Sequence, residues 1–246
     1  MKILAIDTST GACSAAVLAA DRVFERFEFA PQRHAELILP MIESVLSDAG
    51  LKLHDIDGLA FGRGPGAFTG VRIAVGVIQG ISLGTGLKVA PVSTLAALAQ
   101  GVYRQHEAAR VLTAIDARMG EIYFAAFAVE PVQDQNESFP RRRESTGKST
   151  TEFWRLQEVL AERVCKTAEA PLPESAGWIG AGTGFATYPE PLRERLGSLL
   201  GDVLPDAHPH AQDVATLAVD IFARGDAVDA EYALPVYLRD RVADTQ

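Results

Sequence analysis

Hydrophobic positions in the first hundred residues change from one period to another along the chain. Residues 3–7 are an apolar run of strand length ending at Asp7. Gly11 marks a turn, and residues 13–18 predict a second strand. Residues 22–29 predict a third, with Val23, Phe24, Phe27 and Phe29 among polar neighbours. The three lie too close together for crossover helices, so they should pair antiparallel. A helical stripe follows over 33–49, carried by Leu37, Ile38, Met41, Ile42, Val45 and Leu46, with Gly50 at its stop. Pro40 inside it predicts a kink, at a cost of about 3 kcal/mol unless packing offsets it. A strand at 58–61, a glycine-rich turn, a helix at 67–85, a strand at 88–92 and a helix at 94–103 complete the series. The order β-β-β-α-β-α-β-α is that of a ribonuclease-H-like unit.

The second half begins like the first. Ala5-Ile6-Asp7, Gly11 and Ala16 superpose at one constant offset on Ala114-Ile115-Asp116, Gly120 and Ala125. This predicts an internal duplication: an α/β, duplicated ribonuclease-H-like fold of the actin and sugar-kinase type, with two lobes of mixed sheet flanked by helices. The lobes are expected at 1–105 and 106–210, with a C-terminal helix and tail at 211–246 packing back on them. Residues 131–150 are polar and aperiodic and predict an extended, mobile insertion. Its Arg141-Arg142-Arg143 run reads as a solvated loop or as a contact for RNA. Ser149 and Glu152 form a capping-box pattern, which predicts a helix bearing Phe153, Leu156, Val159, Leu160 and Val164. A short strand at 178–180 and an amphipathic helix with Val214, Leu217, Ala218, Ile221 and Phe222 follow, stopped by Gly225. In the polar tail, the apolar island Leu234-Pro235-Val236-Tyr237-Leu238 is expected to dock rather than hang free.

Composition narrows the function. Hydrophobic residues make up 48% and charged residues 22% of the 246, as in an ordinary globular chain. A net charge of −9 gives no general attraction to phosphate backbones, which argues against nucleic-acid binding by the chain alone. Two cysteines, Cys13 and Cys165, supply no disulfide framework, and the N-terminus lacks a secretion-signal pattern, so a reduced cytoplasmic setting is expected. The most apolar stretch, 71–87, is broken by Arg72, Gln79 and four glycines, so no membrane span is expected.

The candidate chemistry is sparse. Gly62-Arg63-Gly64-Pro65-Gly66-Ala67-Phe68-Thr69-Gly70-Val71-Arg72 feeds a helix N-terminus, where free N–H groups could cradle an anion, yet it lacks the Lys-Ser/Thr of a P-loop. It reads equally as a structural turn. Gly76, Gly80 and Gly84 recur along one helix face, each about 1 kcal/mol worse than Ala. Such losses call for a closely approaching backbone, either within the chain or at a subunit interface shared with helix 33–49. Asp7 and Asp116 each end a first strand. Carboxylates so placed organise Mg²⁺ and phosphate in phosphotransferases of this fold, or simply cap their turns. A small-molecule kinase is therefore the alternative enzyme reading, weakened because Thr8 rather than Gly follows Asp7. Of five scattered histidines only His208 and His210 are close, without further ligands at familiar spacing, and no metal site is expected. No nucleophile elbow or other protease constellation is present.

Five segments together resemble one family. They are Ile3-Leu4-Ala5-Ile6-Asp7-Thr8-Ser9, His34-Ala35-Glu36-Leu37-Ile38-Leu39-Pro40, the glycine-rich run Gly62–Arg72, Asp116-Ala117-Arg118-Met119-Gly120-Glu121-Ile122-Tyr123 and Pro235-Val236-Tyr237-Leu238-Arg239. The chain is similar to the TsaB family of bacterial tRNA threonylcarbamoyladenosine biosynthesis proteins, densely over 1–125 and again at the tail. The resemblance implies a non-catalytic scaffold that pairs with a catalytic paralogue, TsaD, and with an ATPase, TsaE. The complex would transfer a threonylcarbamoyl group to the adenosine beside the anticodon, in tRNAs reading codons that begin with A. It implies contact with tRNA only through the complex and a homodimer in isolation. It implies no cofactor of the chain's own and leaves open a nucleotide at the subunit junction. Where the paralogue places metal-binding histidines, this chain has Thr94 and Leu98, which cannot hold the metal. The implied partner surface is Leu37, Ile38, Met41, Ile42 and Val45 with Phe68, Val71, Arg72, Val75, Gly76 and Gly80, some of which must face the chain's own sheet.

Overall fold

A computed structural model describes residues 1–132 and 153–239 of the chain. The first sheet contains β1 (Lys2–Asp7), β2 (Ala12–Ala19), β3 (Arg22–Phe29), β4 (Gly58–Gly62) and β5 (Val89–Val92) in the order β3-β2-β1-β4-β5. The second contains β6 (Arg110–Arg118), β7 (Glu121–Val132), β8 (Phe153–Lys166), β9 (Trp178–Ala181) and β10 (Leu200–Leu204) in the order β10-β9-β6-β7-β8. Read from the other edge, the second order repeats the first strand for strand. In both, the first strand pairs antiparallel with the second and parallel with the fourth. This is the duplicated ribonuclease-H-like fold. The repeat offset survives at the hairpin turn, and a register shift between Asp116 and Arg118 then displaces β6 against β7 by one residue.

Among the described residues six helices cover the sheets: α1 (His34–Asp48), α2 (Phe68–Thr85), α3 (Thr94–His106), α4 (Thr183–Thr187), α5 (Pro189–Leu196) and α6 (Ala211–Arg224). One face of the first sheet, with Leu4, Ile6, Val17, Leu59 and Phe61, is roofed by Ile38, Met41, Ile42 and Val45 of α1 and by Ala74, Val75 and Ile78 of α2. Each fully buried aliphatic side chain there contributes roughly 1.5–3 kcal/mol, which offsets the proline inside α1. That helix runs through Pro40 as one element of 15 residues. The other face carries α6 through Ala211, Val214, Ala215 and Ala218. The second sheet packs α3 through Leu95, Leu98, Ala99 and Val102 on one face, and Phe185, Leu192 and Leu196 of α4 and α5 on the other. Thus a helix from the first half of the chain covers the second sheet, and the last helix returns to cover the first. Arg104 joins the two helices by donating to both carboxylate oxygens of buried Asp213, at 2.8 and 2.9 Å.

The segment expected to form a helix after residue 150 is instead the edge strand β8. Its helical spacing arises from register shifts in its pairing with β7, between Phe124 and Ala126 and between Ala126 and Phe127. Those bulges interrupt the strand's alternation. Leu156 therefore joins the core on one face of the sheet and Leu160 the core on the other. β7 runs two residues into the expected insertion. The rest of that segment, with the arginine triplet and the capping-box pair, lies outside the described residues. The strand β10 and helices α4 and α5 had no clear signal, being short and amphiphilic.

Candidate functional site

The glycine-rich loop closes over the first hairpin turn. A Cβ on Gly62 would lie 1.8 Å from Asp7 Oδ2, one on Gly66 2.2 Å from the Ser9 carbonyl oxygen, and one on Gly70 2.0 Å from that of Thr8. Ala67 N–H donates to the Ser9 carbonyl at 2.7 Å, and Thr8 Oγ1 donates to the Gly70 carbonyl at 2.7 Å. The glycines are therefore required by close backbone contact inside the chain. What they meet are carbonyl oxygens and a carboxylate, which repel an anion. This decides for the structural turn over the phosphate cradle.

Asp7 is sealed beneath that loop. Its Oδ1 accepts from the backbone N–H and the hydroxyl of Ser9, at 2.9 and 2.7 Å. Its Oδ2 and the nearby Thr94 Oγ1 are buried without a partner among the described residues. Burial pushes the Asp7 carboxyl up to about 6, against the pull of the Ser9 hydrogen bonds. Asp116 caps its own turn by accepting from Arg118 N–H at 2.8 Å and from Tyr188 OH at 3.2 Å. Thr94 and Leu98 lie inside the core. Among the described residues no group of three or more His, Cys, Asp or Glu is placed to hold a metal ion. Burial pushes the Cys13 thiol up to about 12, so it remains unionised at neutral pH.

The helices α1 and α2 sort the residues expected at a partner surface. Ile38, Met41, Ile42, Val45, Val71 and Val75 spend their side chains in the core of the first lobe, and Leu37 is half-buried against it. Phe68, Arg72, Gly76 and Gly80 point outward, as does Gly84. A Cβ on Gly76, Gly80 or Gly84 would meet nothing within 4 Å, so no backbone among the described residues fills this notch. Leu83 of α2, 77% exposed, extends the apolar face, and Leu39 of α1 is exposed as well. Neither was singled out from the sequence, although Leu83 lies three residues beyond Gly80 on the same helical face. This outward face explains why α2 is, by length and composition, apolar enough to cross a bilayer while its inner face packs on a sheet.

The tail follows the same helix. Val228 and Val89 exchange backbone hydrogen bonds of 2.8 Å, Ala233 is buried beside α2, and its carbonyl accepts from Gln79 at 3.2 Å. Val236 N–H donates to the Arg63 carbonyl at 2.8 Å, and the Arg239 guanidinium reaches the Ala117 carbonyl and Glu121 of the second lobe.

A cleft of about 690 Å³ opens between α3, α6 and the second sheet, lined in part by Ser93, Tyr103, Thr216, Phe127 and Leu156. Its size suits a small molecule. Each arginine on its wall is already paired with a carboxylate: Arg63 with Glu162, Arg104 with Asp213, and both Arg155 and Arg224 with Asp220. The cleft therefore offers a phosphate no uncommitted guanidinium.

The family model described as "TsaD: tRNA N6-adenosine threonylcarbamoyltransferase" matches residues 27–246. The Escherichia coli tRNA threonylcarbamoyladenosine biosynthesis protein TsaB is 42% identical over 247 residues, covering 99% of this chain and 96% of the relative. The Haemophilus influenzae protein of the same name is 37% identical, covering 98% and 95%. A crystal structure from Pseudomonas aeruginosa, of an uncharacterised protein with similarity to peptidase YeaZ, superposes with a TM-score of 0.80 at 40% identity, covering 97% of this chain and 99% of that one. With its duplicated sheets and 42% identity over nearly its full length to a relative of that name, the chain belongs to the TsaB family.

Proposed function

We propose that the chain serves tRNA threonylcarbamoyladenosine biosynthesis as a non-catalytic subunit, docking a TsaD-like catalytic paralogue on the outer face of α2 and the adjoining edge of α1. A TsaE-like ATPase joins that pair, and tRNA is met only through the complex. In the paralogue's absence the same face pairs two copies of this chain. The observation that carries this reading is the open notch at Gly76, Gly80 and Gly84, on a helix that also exposes Phe68 and Leu83. Glycine in a helix is unfavourable, and an empty apolar notch offers no compensation within the chain. A second helix laid into it supplies that compensation by close backbone approach.

The non-catalytic part rests on the first turn. The carboxylate that a kinase of this fold would use lies under the glycine loop, and Thr8 and Ser9 beside it are fully buried. A phosphate cannot approach without unpacking that loop, which disfavours the small-molecule kinase alternative.

Replacing Gly80 with Leu fills the notch without touching the core. The variant should fold normally, lose co-purification with the TsaD-like paralogue, and fail to support tRNA modification when the subunits and the adenylate-forming enzyme are combined. Undiminished co-purification of the folded variant would show that the face is misassigned.

A further inference from the structure

The tail contributes more than anchorage. Tyr237 sits at the N-terminal end of α2, its ring 5.7 Å from that of Phe68. The Arg72 guanidinium lies 3.7 Å over the Phe68 ring, and its Nε donates to Tyr237 OH at 2.8 Å. Phe68 and Tyr237 nonetheless stay 54% and 47% exposed. Arg72 is the only charged residue in α2. Its two Nη groups have no hydrogen-bond or carboxylate partner among the described residues, so N–H donors of a planar fork remain available beside the apolar face. On a chain of net charge −9, a cation with no carboxylate partner among the described residues, on an otherwise uncharged helix, selects for an acidic group opposite it.

Resting on the reading of α2 as the partner face, we propose that Arg72, Phe68 and Tyr237 form a preorganised clamp for a carboxylate of the partner protein, which makes the C-terminal tail part of the docking surface. The partner is thereby specified by chemistry: a protein surface presenting an apolar helix with an Asp or Glu at the end that meets the N-terminus of α2. Tyr237 is the positioning residue. Stacking and the Nε hydrogen bond fix the guanidinium before binding, so little rotamer freedom is lost on contact. Aromatic and arginine side chains held in this way are the usual energetic centres of protein interfaces. The tail keeps its place without the Tyr237 hydroxyl, because the Val236 and Arg239 contacts are independent of it.

The test titrates the full chain and its Tyr237→Phe, Arg72→Gln and double variants against the TsaD-like paralogue by calorimetry, with thermal unfolding of each variant alone. Arg72→Gln should raise Kd on the order of 10–100-fold, and Tyr237→Phe by a smaller factor, with Tm unchanged. The double variant should bind no worse than Arg72→Gln, because the tyrosine acts through the arginine. Additive losses, or an unchanged Kd for Tyr237→Phe, overturn the clamp. Gly80→Leu separates the two readings. Loss of binding there, with both clamp variants at parental Kd, rejects the clamp and leaves the face standing. Unchanged binding in all of these variants rejects both.

Discussion

The two hairpin turns of this molecule are copies with opposite fates. In each, the aspartate at the hairpin accepts from the N–H two residues on: Ser9 for Asp7 at 2.9 Å, Arg118 for Asp116 at 2.8 Å. In each, a glycine at or just past the end of the fourth strand of the lobe presses on the first strand, Gly62 on Asp7 and Gly182 on the Ala114 carbonyl. The first turn is then sealed by the start of an 18-residue helix, whereas the second stays open, with Arg118 86% exposed. Only the five-residue α4 follows Gly182. The difference shows what the first lobe gains by closing its turn. Thr8 and Ser9 become the seat of the α2 N-terminus, so the turn that could have met a phosphate instead fixes the helix on which the proposed docking rests.

The comparison is most sharply broken at glycine. Gly70→Ala drives a methyl group into the Thr8 carbonyl, and neither backbone can yield without moving α2 off the sheet. The loss should exceed about 4 kcal/mol, seen as a collapse of the urea midpoint or failure to fold. Gly120→Ala in the open turn meets nothing within 4 Å and bears only the strain of its φ of +77°, about 1 kcal/mol. Equal losses at the two positions would show that the first turn is not the tighter seat.

Next in size is the buried carboxyl. Asp7 is raised by burial from 3.8 to about 6, so the fold favours its protonated form. Its contribution to stability is full below the unfolded value, falls as pH rises from about 4 to about 6, and is flat above. Ionisation inside the fold costs about 3 kcal/mol. Asp7→Asn removes that dependence. Relative to the parent, its Tm should rise across the same interval and then hold a constant offset. An Asp7→Asn offset that does not vary with pH would mean the carboxyl is solvated after all.

The sequence made the first sheet, its helices and the duplication legible because their periods were clean: α1 and α2 bury one stripe each, and residues 22–29 match β3. β8 was misread because bulges gave a strand helical spacing, and α4, α5 and β10 because short surface elements bury too few side chains to leave a period. At the candidate site, the repeat of Gly76, Gly80 and Gly84 was visible, but its openness was not, since an empty notch and a filled one have the same residues. The six partner-surface candidates that belong to the core were indistinguishable from the exposed ones for a related reason. α2 is apolar around most of its circumference, and amphipathicity sorts faces only where one face is polar. The pairing of Tyr237 with Arg72 spans 165 residues, a separation over which no local pattern speaks.

The smallest effect concerns the side chains beside the two aspartates. Thr8→Val keeps the shape of a fully buried residue and removes the hydroxyl that donates to the Gly70 carbonyl. A lost buried hydrogen bond of this kind costs about 1–2 kcal/mol, lowering Tm by a few degrees. The loss should also reach α2, because that bond ties its first turn to the hairpin, so amide exchange near Gly70 and Val71 should quicken more than in β1. Arg118→Ala removes an exposed ion pair with Asp116, at 3.2 Å, and should leave Tm within measurement scatter. If Arg118→Ala proved as costly as Thr8→Val, or if exchange in α2 were untouched by the latter, the first turn would not be what seats α2, and the two hairpins would be equivalent in role as well as in topology.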